Sequence, residues 1–313
     1  MTTVETAIAQ ENPFSIRSAL LWGAQVLSQA GLENSRLDAE VLLRHVLNME
    51  KEQLCVNGDA PISAGQQMEF RGLLLRRSRR EPVAYITGHK EFWSMDFFVT
   101  PAVLIPRPET ELLVEVALQY VTQLASGSPV KVLDVGAGSG AISVCLAKGQ
   151  AAWQIFAVDI SPVALDVARL NARRHGVADR IRFLPGDLFA PIKPLPETFD
   201  LIVSNPPYIR SGELSMLAPE ICEWEPTVAL DGGVDGLDTY RRIIEEGHSY
   251  LTTGGSIVLE IGADMASAVA DLFSRSGYYG PVSVYQDYAG KDRVIAAMKL
   301  LPSDAEPKSI SRG

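Results

Sequence analysis

The feature that most constrains the fold of this chain is a regular alternation of short apolar runs with longer helical segments. Five runs have the length and composition of buried strands, at residues 130–135, 154–159, 181–184, 201–204 and 256–261. Segments of ten or more residues with helical spacing lie between most of these runs. This pattern predicts an α/β fold with a doubly wound, mostly parallel sheet. Two further runs, 282–285 and 294–297, flank a turn at Gly290 and predict a C-terminal antiparallel hairpin.

The first part of the chain predicts a small all-α domain. Ser15 precedes a helical pattern that stops at Gly31, and Ser63 with Gln66 resembles a capping box before a later helix. Aromatic residues between 82 and 105 predict short strands that join this region to the sheet. We therefore expect a helical domain over 1–81, a hairpin-like connector over 82–105, an α/β domain over 106–300 and a disordered polar tail over 301–313.

Four arginines crowd the last turns of the later helix, namely Arg76, Arg77, Arg79 and Arg80. Cations at the C-terminal end of a helix interact favourably with its dipole, and this is the interpretation we favour. The alternative is a basic patch that contacts an acidic or RNA-associated partner.

Charge and targeting signals limit the possible classes of function. The chain has 28 Lys and Arg against 38 Asp and Glu, a formal net charge of −10. Proteins that hold nucleic acid over a wide surface instead carry clustered cations. The N-terminus has no signal-peptide or transit-peptide character, and no run approaches the ~18 apolar residues of a membrane span. We expect a cytoplasmic monomer with no bound metal, no membrane attachment and no direct contact with nucleic acid.

A glycine-rich turn after the first strand of the alternation is typical of a cofactor site, because glycines let the backbone approach a ligand closely. The turn consists of Gly136, Ala137, Gly138, Ser139 and Gly140. Asp159 ends the next strand, where a carboxylate can accept hydrogen bonds from ribose hydroxyls. These residues predict an adenosine-type cofactor at the carboxyl edge of the sheet. The spacing also satisfies the dinucleotide fingerprint, so the glycines alone leave a nicotinamide-dependent oxidoreductase open.

The motif Asn205-Pro206-Pro207-Tyr208 follows an apolar strand. Neither proline has an N–H, so the strand cannot continue its ladder, and the prolines hold nearby carbonyls in fixed directions. The result is a rigid cluster of acceptors with an aromatic ring beside it. Such a cluster suits a planar –NH2 group, which has two donors and a flat face.

A second acidic position follows the third strand, at Asp187-Leu188. Asp187 can bond an exocyclic adenine amine while Leu188 packs on the ring. A simple turn or helix cap is an equally good interpretation of Asp187. The acidic loop that begins at Asp231 has Arg242 where a calcium loop needs a bidentate Glu, so we expect no metal there.

Together these motifs resemble the class I S-adenosylmethionine-dependent methyltransferases. Within that class, the chain is similar to the release factor glutamine methyltransferases, the PrmC/HemK family. The resemblance covers nearly the whole chain, from about Ser15 to Leu300. It is carried by the segments 134–140 and 205–208 with Asp159, and the glutamine branch is indicated by 85–88, 103–111 and 225–237.

The resemblance implies a Rossmann-like catalytic domain that binds S-adenosyl-L-methionine. The implied reaction methylates the glutamine side-chain amide (N5) in the Gly-Gly-Gln motif of class 1 peptide chain release factors, which modulates translation termination. The implied catalytic residues are Asn205, Pro206 and Tyr208, joined by Pro207 in substrate binding. The implied cofactor-binding residues are Gly136, Ala137, Gly138, Ser139, Gly140, Asp159, Asp187, Leu188 and Asn205. Some relatives have an aromatic residue where Leu188 stands, so apolar contact replaces stacking there.

Three other functions remain open at this point. An N6-adenine DNA methyltransferase would share the Asn205–Tyr208 motif, because the adenine amine is also planar. The net acidity of the chain and the absence of a separate basic recognition domain argue against it. The others are the nicotinamide-dependent oxidoreductase and a non-catalytic binding module that retains the cofactor pocket.

Overall fold

The computed structural model describes residues 15–124, 130–150, 152–195 and 197–301. The chain divides into two compact units: one contains Met1–His89 with Ala218–Trp224, and the other contains Lys90–Leu217 with Glu225–Gly313. We expect the polar tail over 301–313 to be disordered, and its residues after Leu301 lie outside the described residues. None of the helices in the described ranges combines the length and apolarity that a membrane crossing requires.

The first unit is helical. Its described residues include the helices α1 (Ile16–Gln29), α2 (Ser35–Leu47), α3 (Lys51–Val56), α4 (Ala64–Ser78) and α5 (Val83–Thr87), together with a single helical turn over Pro219–Cys222. Both predicted caps are confirmed, since the Ser15 hydroxyl accepts from the Ser18 amide and Ser63 forms a capping box with Gln66. Sequence reasoning missed α3 and α5, which have six and five residues and are too short for an apolar period to show.

The arginine cluster at the end of α4 is paired with carboxylates of the same unit. Arg77 is only 8% exposed, and its guanidinium contacts Asp38 at 2.7 Å and Glu220 at 3.1 Å. Arg80 also contacts Glu220, at 3.2 Å. The hypothesis of an open basic patch is therefore wrong for Arg77. Arg76 and Arg77 do lie in the last turn of α4, where the helix dipole favours cations.

The second unit contains a small hairpin and a large sheet. The hairpin strands are β1 (His89–Phe92) and β2 (Met95–Phe98), which confirms the predicted short strands. The large sheet contains β3 (Lys131–Val135), β4 (Gln154–Asp159), β5 (Ile181–Pro185), β6 (Phe199–Ser204), β7 (Leu251–Glu260), β8 (Ser283–Gln286) and β9 (Asp292–Met298). The helices of this unit are α6 (Thr110–Leu124), α7 (Ala141–Gly149), α8 (Pro162–Arg174), α9 (Asp238–Gly247) and α10 (Ala266–Ser276).

The strand order in the large sheet is β5-β4-β3-β6-β7-β9-β8. The strands from β5 to β7 pair in parallel, and β9 pairs antiparallel with both β7 and β8, which confirms the predicted C-terminal hairpin. From β3 the chain winds outward through β4 to β5 and then crosses back to β6 on the other side. Val135 and Ser204 are register partners at the carboxyl ends of β3 and β6. This is a topological switch point, where doubly wound sheets bind ligands.

Apolar side chains cover both faces of the sheet. Val132 of β3 belongs to a core cluster with α6 and α7, whereas Leu133 belongs to a cluster with α9 and α10. Because successive side chains of a strand point to opposite faces, this alternation requires helices on both sides. Each fully buried Leu or Val contributes about 1.5–3 kcal/mol of transfer free energy. The packing fixes the positions of the strand ends at the switch point.

Candidate active site

The glycine turn between β3 and α7 is open on one side and tightly packed on the other. Gly138 has a φ of +53°, and a Cβ added there would meet nothing within 4 Å. Gly140 has a φ of +79°, and its added Cβ would lie 2.9 Å from the Ala168 Cβ of α8. Gly140 therefore allows close packing of helix α8, while Gly138 keeps the turn open towards a ligand.

Asp159, at the end of β4, holds the glycine turn in place. Its Oδ2 accepts from the Gly138 amide at 2.8 Å, and its Oδ1 accepts from the Ser161 amide at 2.8 Å. Burial raises the pKa of this carboxyl, against these two hydrogen bonds. A carboxylate has about four acceptor positions, so two remain for a ligand. The Gly138 amide is used within the protein, which argues against a pyrophosphate bound at this turn.

A second carboxyl lies under the turn. Asp134 of β3 is fully buried, and its Oδ2 accepts from the Ser143 hydroxyl at 2.6 Å. Its Oδ1 has no hydrogen-bond partner among the described residues. Burial is the main cause that raises the Asp134 pKa to about 7, and nearby Asp159 raises it further. Two carboxyl groups so close together favour a ligand that carries positive charge.

Asn171 on α8 joins the β-hairpin to the glycine turn. Its Oδ1 accepts from the Phe98 amide at 2.8 Å, and its Nδ2 donates to the carbonyls of Phe98 and Ser139, each at 2.9 Å. The side chain is fully buried and all three contacts are with backbone. Sequence reasoning missed this residue, because a lone Asn inside a helical pattern carries no signal of such a bridge.

A cavity of about 290 Å³ opens at the carboxyl ends of β3, β4 and β6. Its wall contains most of the residues that the sequence singled out, namely Gly136, Ala137, Gly138, Ser139, Asp159, Asp187, Leu188, Asn205, Pro206 and Pro207. Gly140 and Tyr208 lie next to the wall but do not line it. The structure thus brings the predicted cofactor residues and the predicted acceptor residues to one cavity.

Asp187 forms an ion pair in this wall. Its two carboxylate oxygens accept from Arg242 of α9, at 3.1 and 2.7 Å. Both side chains are about half exposed, and Arg242 also lines the cavity. The sequence did not predict this partner. Leu188, beside it, has a φ of +46° and presents an apolar side chain to the same cavity.

Asn205 is oriented by a residue far away in the sequence. Its Nδ2 donates to the Thr110 hydroxyl at 3.1 Å, across a separation of 95 residues. With Nδ2 turned towards Thr110, Oδ1 is the atom left to accept from a ligand. Thr110 also lines the cavity and is only 5% exposed. Behind both lies Glu260, at the end of β7, whose carboxyl hydrogen-bonds with Thr110 and Asn205.

Tyr208 packs beside the cavity against the apolar cluster of α9 and α10. Burial raises the pKa of its phenol to about 12, so the ring stays neutral. Glycines of the following loop lie against the backbone of the motif. A Cβ added to Gly232 would lie 2.8 Å from the Pro207 carbonyl oxygen, and one added to Gly236 would lie 2.6 Å from the Tyr208 carbonyl oxygen. The acidic loop that begins at Asp231 therefore supports the Asn205–Tyr208 motif. The described residues contain no cluster of acidic, His or Cys side chains that could hold a metal.

A buried carboxylate fastens the segment that precedes α6. Arg107 donates to Glu225 Oε1 at 2.5 Å, and the Ile105 amide donates to Glu225 Oε2 at 3.2 Å. The Glu225 side chain is 1% exposed, whereas Arg107 is 30% exposed and lines the cavity. Both residues belong to segments that carried the family resemblance, yet their pairing could not be read from the sequence.

The strand order, the glycine turn and the Asn205 motif define a class I methyltransferase domain. A family model described as the methyltransferase small domain matches residues 110–223, and one described as the PrmC N-terminal domain matches residues 18–88. The catalytic domain of human Mettl16, solved with an RNA hairpin, has a similar fold, with a TM-score of 0.55 and 14% sequence identity. That similarity covers 74% of this chain and 84% of the solved one.

Curated relatives are considerably more similar. The release factor glutamine methyltransferase of Geobacter sulfurreducens is 44% identical over 90% of this chain and 96% of its own length. That of Moorella thermoacetica is 41% identical over 91% of this chain and 99% of its own length. The chain belongs to the release factor glutamine methyltransferase family. It is a methyltransferase that uses a cofactor of the S-adenosylmethionine type, and the DNA methyltransferase alternative is not favoured.

Proposed function

We propose that this enzyme transfers a methyl group from S-adenosyl-L-methionine to the side-chain amide nitrogen of the glutamine in the Gly-Gly-Gln motif of class 1 peptide chain release factors. The observation that carries the proposal is the orientation of Asn205. Its amide nitrogen is held by Thr110, and its oxygen is left as an acceptor in a cavity that is also walled by Pro206 and Pro207. The names of the relatives support the choice of substrate.

The residues of the cavity suit the proposed cofactor. Asp159 has acceptor positions left for the ribose hydroxyls, and Asp187 with Leu188 offers an acceptor and an apolar surface for the adenine. The open side of Gly138 gives the methionine part room next to the backbone. The buried carboxyl of Asp134 favours a cation over the anionic pyrophosphate of a dinucleotide. When bound, S-adenosyl-L-methionine supplies an electrophilic methyl group on a positively charged sulfur.

The acceptor end of the cavity has to overcome the weak nucleophilicity of an amide. The nitrogen lone pair of an amide is delocalised into its carbonyl, so the site must hold the group in an orientation that exposes this lone pair. Asn205 Oδ1 and the Pro206 carbonyl would each accept one N–H of the substrate amide. Tyr208 lies next to the cavity wall, and its ring would pack against the plane of that amide from there. Positioning of this kind can provide effective molarities on the order of 10⁵ M or more, and fixed dipoles add to it.

The rest of the chain suggests how the substrate is presented. We assign recognition of the release factor to the helical domain over 1–81 and catalysis to the domain over 106–300, joined by the connector over 82–105. The net charge of −10 supports a protein partner over nucleic acid. We assign the enzyme to the cytoplasm, where translation termination takes place, and expect a monomer.

Labelled methyl transfer tests this proposal. The purified enzyme is offered labelled S-adenosyl-L-methionine with a release factor, with the release factor whose Gly-Gly-Gln glutamine is replaced by alanine, or with duplex DNA. We expect label on the native release factor alone. Label on DNA alone would overturn the proposal and favour an adenine methyltransferase. Bound cofactor with no labelled acceptor would overturn it in favour of a binding module.

A further inference from the structure

Three residues from different elements meet behind the acceptor end of the cavity. Ser204 and Leu259 are register partners on the parallel strands β6 and β7, so the next residues, Asn205 and Glu260, are neighbours at the sheet edge. Thr110 begins helix α6 and bonds Asn205 from the other side. Glu260 is 1% exposed and does not belong to the cavity wall, whereas Thr110 and Asn205 do. Glu260 therefore does not touch a ligand in the cavity, and its hydrogen bonds reach the cavity through these two side chains.

The direction of the hydrogen bonds follows from the chemistry of these groups. Above its pKa of about 7 the Glu260 carboxyl is ionised and only accepts, whereas a hydroxyl has one proton to donate. The Thr110 oxygen accepts from Asn205 Nδ2, so its own proton is free to go to the Glu260 carboxyl, with which it hydrogen-bonds. Asn205 also hydrogen-bonds with that carboxyl, and it can do so only as a donor through Nδ2. Because Glu260 at the end of this series of hydrogen bonds can only accept, it keeps the Asn205 amide nitrogen turned towards Thr110 and Glu260, away from the substrate.

We infer that Glu260 is a positioning residue, which acts through Thr110 to hold the Asn205 amide with its oxygen towards the substrate. The inference rests on the proposed function, because the orientation matters only if the acceptor is an –NH2 group. An amide turned the other way would present its own N–H groups to the N–H groups of the substrate. Two donors facing one another form no hydrogen bond, so the substrate amide would lose one of its two anchors.

The burial of Glu260 supports a functional role. One of its oxygens, Oε2, has no hydrogen-bond partner among the described residues. Burial raises its pKa to about 7, against the hydrogen bonds from Thr110 and Asn205. The charged and titratable groups around it are Arg293, Glu109, Tyr208 and Tyr240. A buried carboxyl with an unused oxygen destabilises the fold. Replacement by glutamine should therefore not lower the stability.

Isosteric variants of Thr110 test the inference in the full-length enzyme. Thr110→Val keeps the shape and removes the hydroxyl, whereas Thr110→Ser keeps the hydroxyl. Thr252→Val is the matched control, because the Thr252 hydroxyl is also partly buried but bonds the Phe199 carbonyl at the opposite end of β6. We expect kcat on a release factor to fall roughly tenfold or more in Thr110→Val, and by far less in Thr110→Ser and Thr252→Val. The Kd for S-adenosyl-L-methionine should stay within about twofold, since the residues proposed to hold its ribose and adenine are Asp159, Asp187 and Leu188.

Glu260→Gln gives a second readout that a merely structural role would not produce. Glutamine can donate a hydrogen bond to Thr110. The directions of the hydrogen bonds from residue 260 through Thr110 can then reverse, and the Asn205 amide can flip. We expect a loss of kcat comparable to that of Thr110→Val, with a Tm at pH 8 that is unchanged or higher. A kcat equal to that of Thr252→Val, or a fall in Tm with a parallel loss of cofactor binding, would overturn the inference. Wild-type enzyme that fails to methylate the release factor would instead overturn the proposed function, and the inference with it.

Discussion

The Gly138 amide donates to Asp159 Oδ2 at 2.8 Å, and this bond joins the glycine turn after β3 to the end of β4. The two residues lie 21 positions apart in the sequence. Because the same carboxylate also accepts from the Ser161 amide, one side chain fixes both the turn and the start of helix α8. Asp159 is thus a support of the cofactor cavity as well as part of its wall.

Replacement of Asp159 by alanine should weaken cofactor binding far more than it slows the saturated reaction. The change leaves two backbone donors unpaired and removes the acceptors for the ribose, so we expect the Kd for S-adenosyl-L-methionine to rise about 10- to 100-fold. Calorimetry measures this Kd directly. Asp166→Ala on the exposed face of α8 is the control, and an equal Kd in the two variants would contradict the assignment of Asp159.

Replacement of Asn205 by alanine should lower kcat far more than it weakens cofactor binding, the reverse of Asp159→Ala. It removes an acceptor and leaves a substrate donor unpaired, at a cost of roughly 1–3 kcal/mol or more, which lowers kcat about 10- to 100-fold or more. Cofactor affinity should be nearly retained. Steady-state kinetics on a release factor, together with cofactor titration, separate the two effects. An equal loss of both would indicate that Asn205 has a structural role.

The glycines of the loop after the motif should be intolerant of any side chain. A Cβ at Gly232 would lie 2.8 Å from both the Pro207 carbonyl oxygen and the Tyr208 Cα, so Gly232→Ala must displace the motif. Overpacking of this kind costs about 1–3 kcal/mol, and we expect lower Tm and lower kcat. In Gly212→Ala, an added Cβ meets nothing within 4 Å. If thermal unfolding and kinetics of the two variants agree, the proposed support of the motif is wrong.

Asp134 should make the stability of the protein without cofactor decrease with rising pH. Its pKa is raised from 3.8 to about 7, so the native state binds this proton more tightly than the unfolded state. The stability from this group is present below about pH 4 and is lost as pH rises to about 7. Asp134→Asn removes this dependence.

Chemical denaturation of wild type and Asp134→Asn at pH 5 and pH 8 measures the difference. Relative to wild type, we expect the free energy of unfolding of the variant to be higher at pH 8 than at pH 5. The difference should be a few kcal/mol at most, since about 1.36 kcal/mol corresponds to each pKa unit. The same difference in the free energy of unfolding at both pH values would show that Asp134 has an ordinary pKa.

Much of the fold could be predicted because its signals are local. Strand β4 was predicted at the residues that the structure gives it, since its apolar run is continuous and ends at a charged residue. Strand β7 begins at Leu251, five residues before its predicted start. Its first part contains Gly254 and Gly255 and pairs with β6 through an irregular register, so it lacks a clean apolar pattern.

The site was only partly predictable, because only its local signals can be read from the sequence. Asn205 and Asp159 each follow an apolar strand, so their places at the sheet edge could be predicted. Thr110 and Asn171 act through side-chain hydrogen bonds over 95 and 73 residues, and no spacing in the sequence connects such pairs. Only the folded chain shows that they position the groups around the cavity.

The most direct test of the central claim is to locate the transferred methyl group. A release factor treated with the enzyme and S-adenosyl-L-methionine is digested, and mass spectrometry identifies the modified residue and atom. We predict a single methyl group on the side-chain amide nitrogen of the Gly-Gly-Gln glutamine. A methyl group on any other residue, or on a main-chain atom, would contradict it.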